Sequence, residues 1–230
     1  MATEPSPPAT EHPDRDQLRR IGRTVRRRLD ANRAVRRIAV EQAEIWAVPR
    51  FIDVVDCGRL MTLIDATARP STAYEIDYSQ GHRTSYSAYL SAADSFIARL
   101  QDKLDALLGL QPATGERIEG QRYLPGQEFR EHCDWFPAGS ASWAQEQDCG
   151  GQRAITAMAY LNRVEEGGET QFPQLDIQVA PRPGALLIWN NADPDGVPNP
   201  RTVHASTPVV RGAKYIFTKW YRCRPWRPSH

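Results

Sequence analysis

No stretch of this sequence stays apolar for the roughly 20 residues that a bilayer-crossing helix needs, so a membrane span is not expected. The opening residues, MATEPSPPATEHPDRD, contain no apolar core of the kind a secretory signal carries, and export is not expected either. The cysteines Cys57, Cys133, Cys149 and Cys223 never form a CxxC pair, a spacing that suits reduced thiols in a cytoplasm better than a disulfide framework. No internal repeat is visible. Acidic residues are scarce over 15–37, where Asp16 and Asp30 stand alone among Arg15, Arg19, Arg20, Arg23, Arg26, Arg27, Arg28, Arg33, Arg36 and Arg37. The net charge of the chain is only +1, so the remainder is mildly acidic.

What is present suits a folded protein. The 230 residues allow one generous domain, or one domain plus an extension. A hydrophobic share of 40% and a charged share of 25% argue against global disorder. Residues 1–15 are rich in proline and polar side chains and read as a disordered lead. Over 16–47, Leu18, Ile21, Val25 and Leu29 recur at helical spacing, with Val35, Ile38 and Ile45 continuing less regularly; this predicts a basic amphipathic helical extension. Its arginine face reads as a solvated surface of a helix that buttresses the core. Binding of nucleic acid or an acidic partner is the rival reading, and nucleic acid is not expected, because no recognition motif accompanies the charge.

The main domain is expected over 48–222, with a short tail at 223–230. CGRLMTLIDAT predicts a short helix, and SAYLSAADSFIARLQDKLDALLG a longer helical segment ended by Gly109. Beyond it, ERIEGQRYL, EFREHCDWF, RAITAMAYLNR, IQVAPRPGALLIWN, HASTPVV and KYIFTKWYR are short β-rich runs between glycine and proline signals. Helices followed by many strands predict a mainly β, α+β fold, a sandwich or jelly roll flanked by N-terminal helices.

Within EHCDWF, residues i and i+2 of a strand share a face, so His132 and Asp134 project together and Cys133 points away. An imidazole and a carboxylate make two legs of a metal site. His12 and His230 lie in terminal tails and His82 in the loop SQGHRTS. His204 opens a strand after the polar loop NNADPDGVPNPRT, where it can return across a barrel. Two histidines and one carboxylate on one face of an ion leave open positions, as in non-haem Fe(II) oxygenases, whereas a closed zinc site wants a fourth ligand. Alone, an HxD pair with a distant histidine arises often by chance. Lys214 shares a strand face with Ile216, Thr218 and Trp220, opposite Lys219; an isolated strand lysine is as a rule exposed.

Several ordered motifs together resemble the prolyl 4-hydroxylase branch of the Fe(II)- and 2-oxoglutarate-dependent dioxygenases. They are RTS at 83–85, YLPGQEFREHCDWF at 123–136, RAITAMAYLN at 153–162, GGETQFP at 167–173, PRPGALLIWNN at 181–191 and HASTPVVRGAKYIFTKW at 204–220. The resemblance implies a double-stranded β-helix, with His132, Asp134 and His204 as iron ligands. It implies that Lys214, assisted by Thr170 and Tyr123, meets the far carboxylate of 2-oxoglutarate. It also implies that Arg83, Ser85, Arg153 and Trp220 face the substrate. O2 would be the second co-substrate and ascorbate the reductant that rescues oxidised iron. The implied reaction is hydroxylation of an unactivated C–H, first of all a prolyl residue in a peptide or protein. Where the family commonly has a tyrosine three residues before the first ligand, this chain has Phe129, and a free amino acid or natural-product intermediate stays open as substrate. Two other classes stay beside this one: a cupin-like metal-binding module with a basic partner-binding helix, and a nucleic-acid-binding protein built on the same scaffold.

Overall fold

The computed structural model describes residues 12–71 and 81–228. Helix α1 (Arg15–Asp30) is followed by strands β1 (Arg36–Arg37) and β2 (Ile45–Val48), then helix α2 (Val54–Thr67). Strands β3 (Arg69–Pro70) and β4 (Tyr86–Leu90) precede helix α3 (Ser95–Leu108). The strand-rich half opens with β5 (Ile118–Tyr123) and β6 (Phe129–His132), crosses the short helix α4 (Ala141–Glu146), and continues with β7 (Arg153–Tyr160) and β8 (Glu166–Gly167). It ends with β9 (Thr170–Phe172), β10 (Ile177–Val179), β11 (Leu186–Asn190), β12 (His204–Ser206), β13 (Val209–Arg211) and β14 (Lys214–Arg222).

Among the described residues the major sheet has the order β1-β2-β11-β7-β14-β5-β4-β3, and the minor sheet β10-β9-β12-β6. Every pairing is antiparallel, including a small β13–β8 ribbon. The two sheets face one another, giving the expected jelly roll.

Strand alternation decides which side chain meets which layer. On β7, Ile155, Ala157 and Ala159 pack into the core shared with the helices, together with Leu60, Ile64, Leu104 and Leu108. Met158 and Tyr160, one residue out of step, join the core between the sheets with Phe172 and Trp189. The site described below occupies the open end of that second layer.

The arginine-rich segment differs from its predicted form. Helix α1 buries Leu18, Gly22, Val25 and Leu29 and stops at Asp30, and the less regular apolar positions beyond it enter a turn and then β2. Ile45 and Val48 belong to β2, which hydrogen-bonds to β11 at the edge of the major sheet. Sheet pairing therefore overrides the weak helical spacing of residues 31–47. The arginine face is largely solvated, as expected, but two of its arginines also fasten the helix. Arg26 pairs with buried Glu44, and Arg28 donates to the carbonyls of Ala106 (2.6 Å) and Leu107 (3.1 Å) at the C-terminal end of α3. Asp30 accepts from Trp46 Nε1 at 2.8 Å.

Two further expectations shift. SAYL is strand, not helix: β4 pairs with β3 and β5, and α3 starts only where Asp94 caps it by accepting from the Phe96 amide at 2.8 Å. Gly109, at φ 69°, ends that helix as expected. Of the lead predicted over 1–15, residues 1–11 lie outside the described residues, and so do 229–230 of the tail, His230 among them. His12 and Asp14 are buried: Asp14 pairs with Arg224 and accepts from the Gln152 amide at 2.7 Å. Trp143, on the short helix α4, is buried and packs edge-on against the His12 ring at 4.6 Å.

Gly120 sets the approach of α2 to the sheet, since a Cβ there would lie 2.4 Å from Ile64 Cγ1 in the core. Gly120→Ala is expected to cost about 1–3 kcal/mol through overpacking. Urea denaturation measures this, and an unchanged midpoint would mean that α2 yields without cost.

Candidate active site

The antiparallel register of β12 against β6 sets His204 directly opposite His132. Asp134 follows two residues later, past the end of β6 in a bend, so its convergence owes more to that bend than to strand alternation. Ligand atoms of His132, Asp134 and His204 all lie within 4.8 Å of one another, and His204 Nε2 is 3.9 Å from Asp134 Oδ2.

The donor chemistry fits a divalent cation. His132 Nδ1 lies 2.8 Å from the Arg130 carbonyl and His204 Nδ1 lies 3.0 Å from the Thr202 carbonyl. A carbonyl only accepts, so each Nδ1 carries a proton, and in the neutral ring Nε2 presents a lone pair. Burial, reinforced by the neighbouring His204, holds the His132 imidazole well below its ordinary pKa, which keeps it neutral. Phe129 stacks on His132 with ring centroids 3.5 Å apart and planes 9° apart, and Trp189 meets His204 edge-on at 4.8 Å. Two imidazole nitrogens and one carboxylate would leave about three of six octahedral positions open.

Behind the triad lies an inner pocket of about 40 Å³, lined by Tyr123, Thr170, Ser206, Lys214, Thr218 and Trp220 among others. Lys214 stands opposite Tyr123 in the β14–β5 register, and Ile216, Thr218 and Trp220 share its face as the spacing predicts. Lys219 points the other way, donating to Gln101 at 2.8 Å. Lys214 is 0% exposed. Its ammonium donates to Ser206 Oγ at 2.7 Å, and among the described residues no carboxylate lies within 4.0 Å of it. Burial pushes its pKa down to about 7, with Glu169 opposing the shift. Tyr160 donates to Thr170 Oγ1 at 2.8 Å, which leaves the threonine hydrogen free for a ligand, while Tyr123 donates to Gln121 Oε1 at 2.7 Å. A buried cation beside hydroxyl donors lacks one thing, an anion.

An outer cleft of about 300 Å³ opens on the other side of the triad, with Arg83, Glu119, Phe129, Trp135, Arg153 and Trp220 in its walls. Trp220 lines both spaces, and its buried Nε1 has no hydrogen-bond partner among the described residues. Arg153 reaches the cleft, but its guanidinium is held by Glu116 through bonds of 2.7 and 2.9 Å and lies 4.0 Å over the Trp220 ring. Arg83 is likewise engaged, by Glu119 at 2.5 Å and Ser87 at 2.8 Å, and sits 5.0 Å over Phe129. Ser85 does not reach the cleft; it is buried behind Arg83, bonded to Arg83 Nε at 3.1 Å and Ser71 at 2.8 Å.

Sequence reasoning missed Thr156, Tyr160, Ser206 and Glu119. Each carried a usable signal in its strand parity: Thr156 and Tyr160 alternate with Ala157 and Ala159, Ser206 lies two residues after His204, and Glu119 is in step with Tyr123. Trp135 and Trp189 had no signal beyond their aromatic character.

A family model described as the 2OG-Fe(II) oxygenase superfamily, 2OG being 2-oxoglutarate, matches residues 118–222. The chain is 29% identical over 196 residues to probable prolyl 4-hydroxylase 4 of Arabidopsis thaliana, an alignment covering 74% of this chain and 64% of that one. It is 31% identical over 215 residues to the prolyl 4-hydroxylase subunit alpha-1 of Gallus gallus, covering 88% of this chain and 42% of that one. The chain thus spans less than two thirds of either relative. A viral collagen prolyl hydroxylase from Paramecium Bursaria Chlorella virus-1, solved with 2OG, superposes with a TM-score of 0.59 at 25% identity, over 84% of this chain and 98% of that one. A Trichoplax adhaerens prolyl hydroxylase, solved with a hypoxia inducible factor peptide fragment, shares the fold at a TM-score of 0.59 and 15% identity, over 90% and 91% of the chains.

The buried ammonium gives a pH test. Folding disfavours the charged form of Lys214, so the unfolded chain holds that proton up to the ordinary lysine value of 10.5 while the folded chain releases it at about 7. Between those values the unfolded state binds the extra proton, and stability rises with pH; below both and above both the slope from this group vanishes. Urea denaturation of metal-free protein across that window is expected to show a rise in the wild type that Lys214→Met lacks. Parallel curves would contradict it.

Proposed function

We propose, for a chain that belongs to the 2OG-Fe(II) oxygenase superfamily, that it hydroxylates a prolyl residue of a peptide or protein to 4-hydroxyproline. The observation that carries the reading is the placement of the two-histidine, one-carboxylate triad between an outer cleft and an inner pocket floored by Lys214.

His132, Asp134 and His204 would hold Fe(II). Bound there, Fe(II) with 2-oxoglutarate and O2 supplies the oxidising power: one oxygen atom enters the substrate C–H bond as hydroxyl, and the other leaves in succinate as 2-oxoglutarate loses CO2. The protein's own residues supply binding and order. Lys214 offers a buried ammonium for the far carboxylate of 2-oxoglutarate, and the carboxylate satisfies a charge that is otherwise costly to bury. Thr170, its hydroxyl turned by Tyr160, is a second donor. Tyr123 walls the pocket, with its ring 5.3 Å from the Lys214 ammonium. The aromatic surfaces of Phe129, Trp135 and Trp220 face the cleft and exclude water from the reacting carbon. Arg153 and Arg83, locked by Glu116 and Glu119, stiffen those walls and leave little free cationic charge for an acidic substrate. An apolar, ring-shaped target residue suits such a cleft.

Ascorbate as the reductant that restores oxidised metal and a cytoplasmic location, argued from cysteine spacing, belong to the same reading. None of the described helices is long and apolar enough to cross a membrane.

The test is incubation with Fe(II), 2-oxoglutarate, O2 and proline-rich peptides, followed by mass analysis. The expected result is a gain of one oxygen, located on proline. Brisk 2-oxoglutarate decarboxylation with no oxidised peptide would overturn the prolyl claim and direct the search to smaller substrates.

A further inference from the structure

We infer that Thr156 and Asn191 are positioning residues that hold Asp134 to one-oxygen coordination and so keep a metal position free for O2. The inference rests on the oxygenase reading above and extends it to two residues that touch neither substrate nor co-substrate.

Asp134 needs such a hold. It lies beyond the end of β6, where no ladder bond orients it, while both histidines are fixed by strand register and by their own carbonyl partners. Its tether comes from the facing sheet. Thr156, 0% exposed on β7, donates its hydroxyl to Asp134 Oδ2 at 2.7 Å. Asn191 Nδ2 donates in turn to Thr156 Oγ1 at 3.0 Å. A hydroxyl has one hydrogen; with its lone pair taken by the amide, that hydrogen is committed to the carboxylate. Asn191 is itself immobile, its amide bonded to the Ala154 carbonyl at 2.9 Å and its carbonyl accepting from Asn199 at 2.9 Å. Its side-chain oxygen is buried with no hydrogen-bond partner among the described residues. The position therefore bears an unsatisfied acceptor in order to deliver its Nδ2.

Coordination number gives this chain of bonds its consequence. An octahedral ion held by two imidazoles and a two-oxygen carboxylate has about two positions left, and a chelating 2-oxo acid takes both. With the carboxylate bound through one oxygen, a third position remains. Thr156 occupies one lone pair of Oδ2, the oxygen that lies 3.9 Å from His204 Nε2, so the bond fixes the rotation of the carboxylate and opposes the turn that would present both oxygens evenly to the ion.

The experiment uses the full chain loaded with Mn(II), and reads both Mn(II) affinity by titration calorimetry and the enhancement of water-proton relaxation, which scales with the number of exchanging waters on the ion. Thr156→Val and Thr156→Ala both remove the donor, the second with less crowding should the first not fold; Thr156→Ser keeps it. Loss of the donor is expected to weaken Mn(II) binding by about 10- to 100-fold and to lower the bound-state relaxation by about one third, three waters becoming two. Thr156→Ser should match the wild type on both. Wild-type relaxation in the folded deletion variants would overturn the inference, as would a serine variant that falls with them. No Mn(II) binding by the wild type would instead overturn the metal-site reading beneath it.

Discussion

The whole site depends on the antiparallel register of β6 against β12. That register brings two histidines 72 positions apart in sequence, His132 and His204, onto one ladder step with their rings 4.2 Å apart. A slip of one residue would turn one ring out of the layer between the sheets. The surrounding fold holds the step in place: Phe129 stacks on one ring and Trp189 braces the other, and both belong to the aromatic filling between the sheets. The metal-binding geometry is thus a by-product of a packed interface, with rigid β-strands as its frame.

Lys214 is the second constraint, and it runs against stability. A fully buried ammonium whose nearest polar partner is a serine hydroxyl is poorly compensated. The protein keeps it fully buried on β14, one of the two central strands of the major sheet. Such a residue makes sense as one half of a pair whose other half arrives with a dianionic ligand. The outer cleft is built the opposite way. Its arginines Arg83 and Arg153 are each neutralised by a glutamate of the fold, so the cleft presents aromatic surface while the inner pocket presents charge. The two sides of the triad are matched to different chemistries.

Much of this was legible in the sequence because β-structure writes a period of two. The parity that separated Lys214 from Lys219 holds, since one reaches the inner pocket and the other bonds to Gln101 on α3. The ladder from His204 to His132 was not legible, because register between distant strands depends on loops whose geometry leaves no local trace. The helix expected over 31–47 failed for a related reason. Ile38 and Ile45 read as a weak helical stripe, while sheet pairing with β11 recruits Ile45 into β2. Ser85 sits in a motif that suggested substrate contact, yet Arg83 lies between it and the cleft. The bonds from Thr156 to Asp134 and from Asn191 to Thr156 join three segments, and no spacing in one chain encodes them. In the basic segment the helix through Leu18, Val25 and Leu29 was legible, but the bonds of Arg26 to Glu44 and of Arg28 to the end of α3 were not.

The most direct test of the central claim needs no knowledge of the substrate. Fe(II) and then 2-oxoglutarate are added anaerobically to metal-free protein while the visible spectrum is followed for the weak metal-to-ligand charge-transfer band of a chelated 2-oxo acid. The band is expected to form in the wild type and to be lost in His204→Ala. Folded protein that binds Fe(II) but never develops the band on adding 2-oxoglutarate would contradict the account, and would leave a metal-binding module in its place.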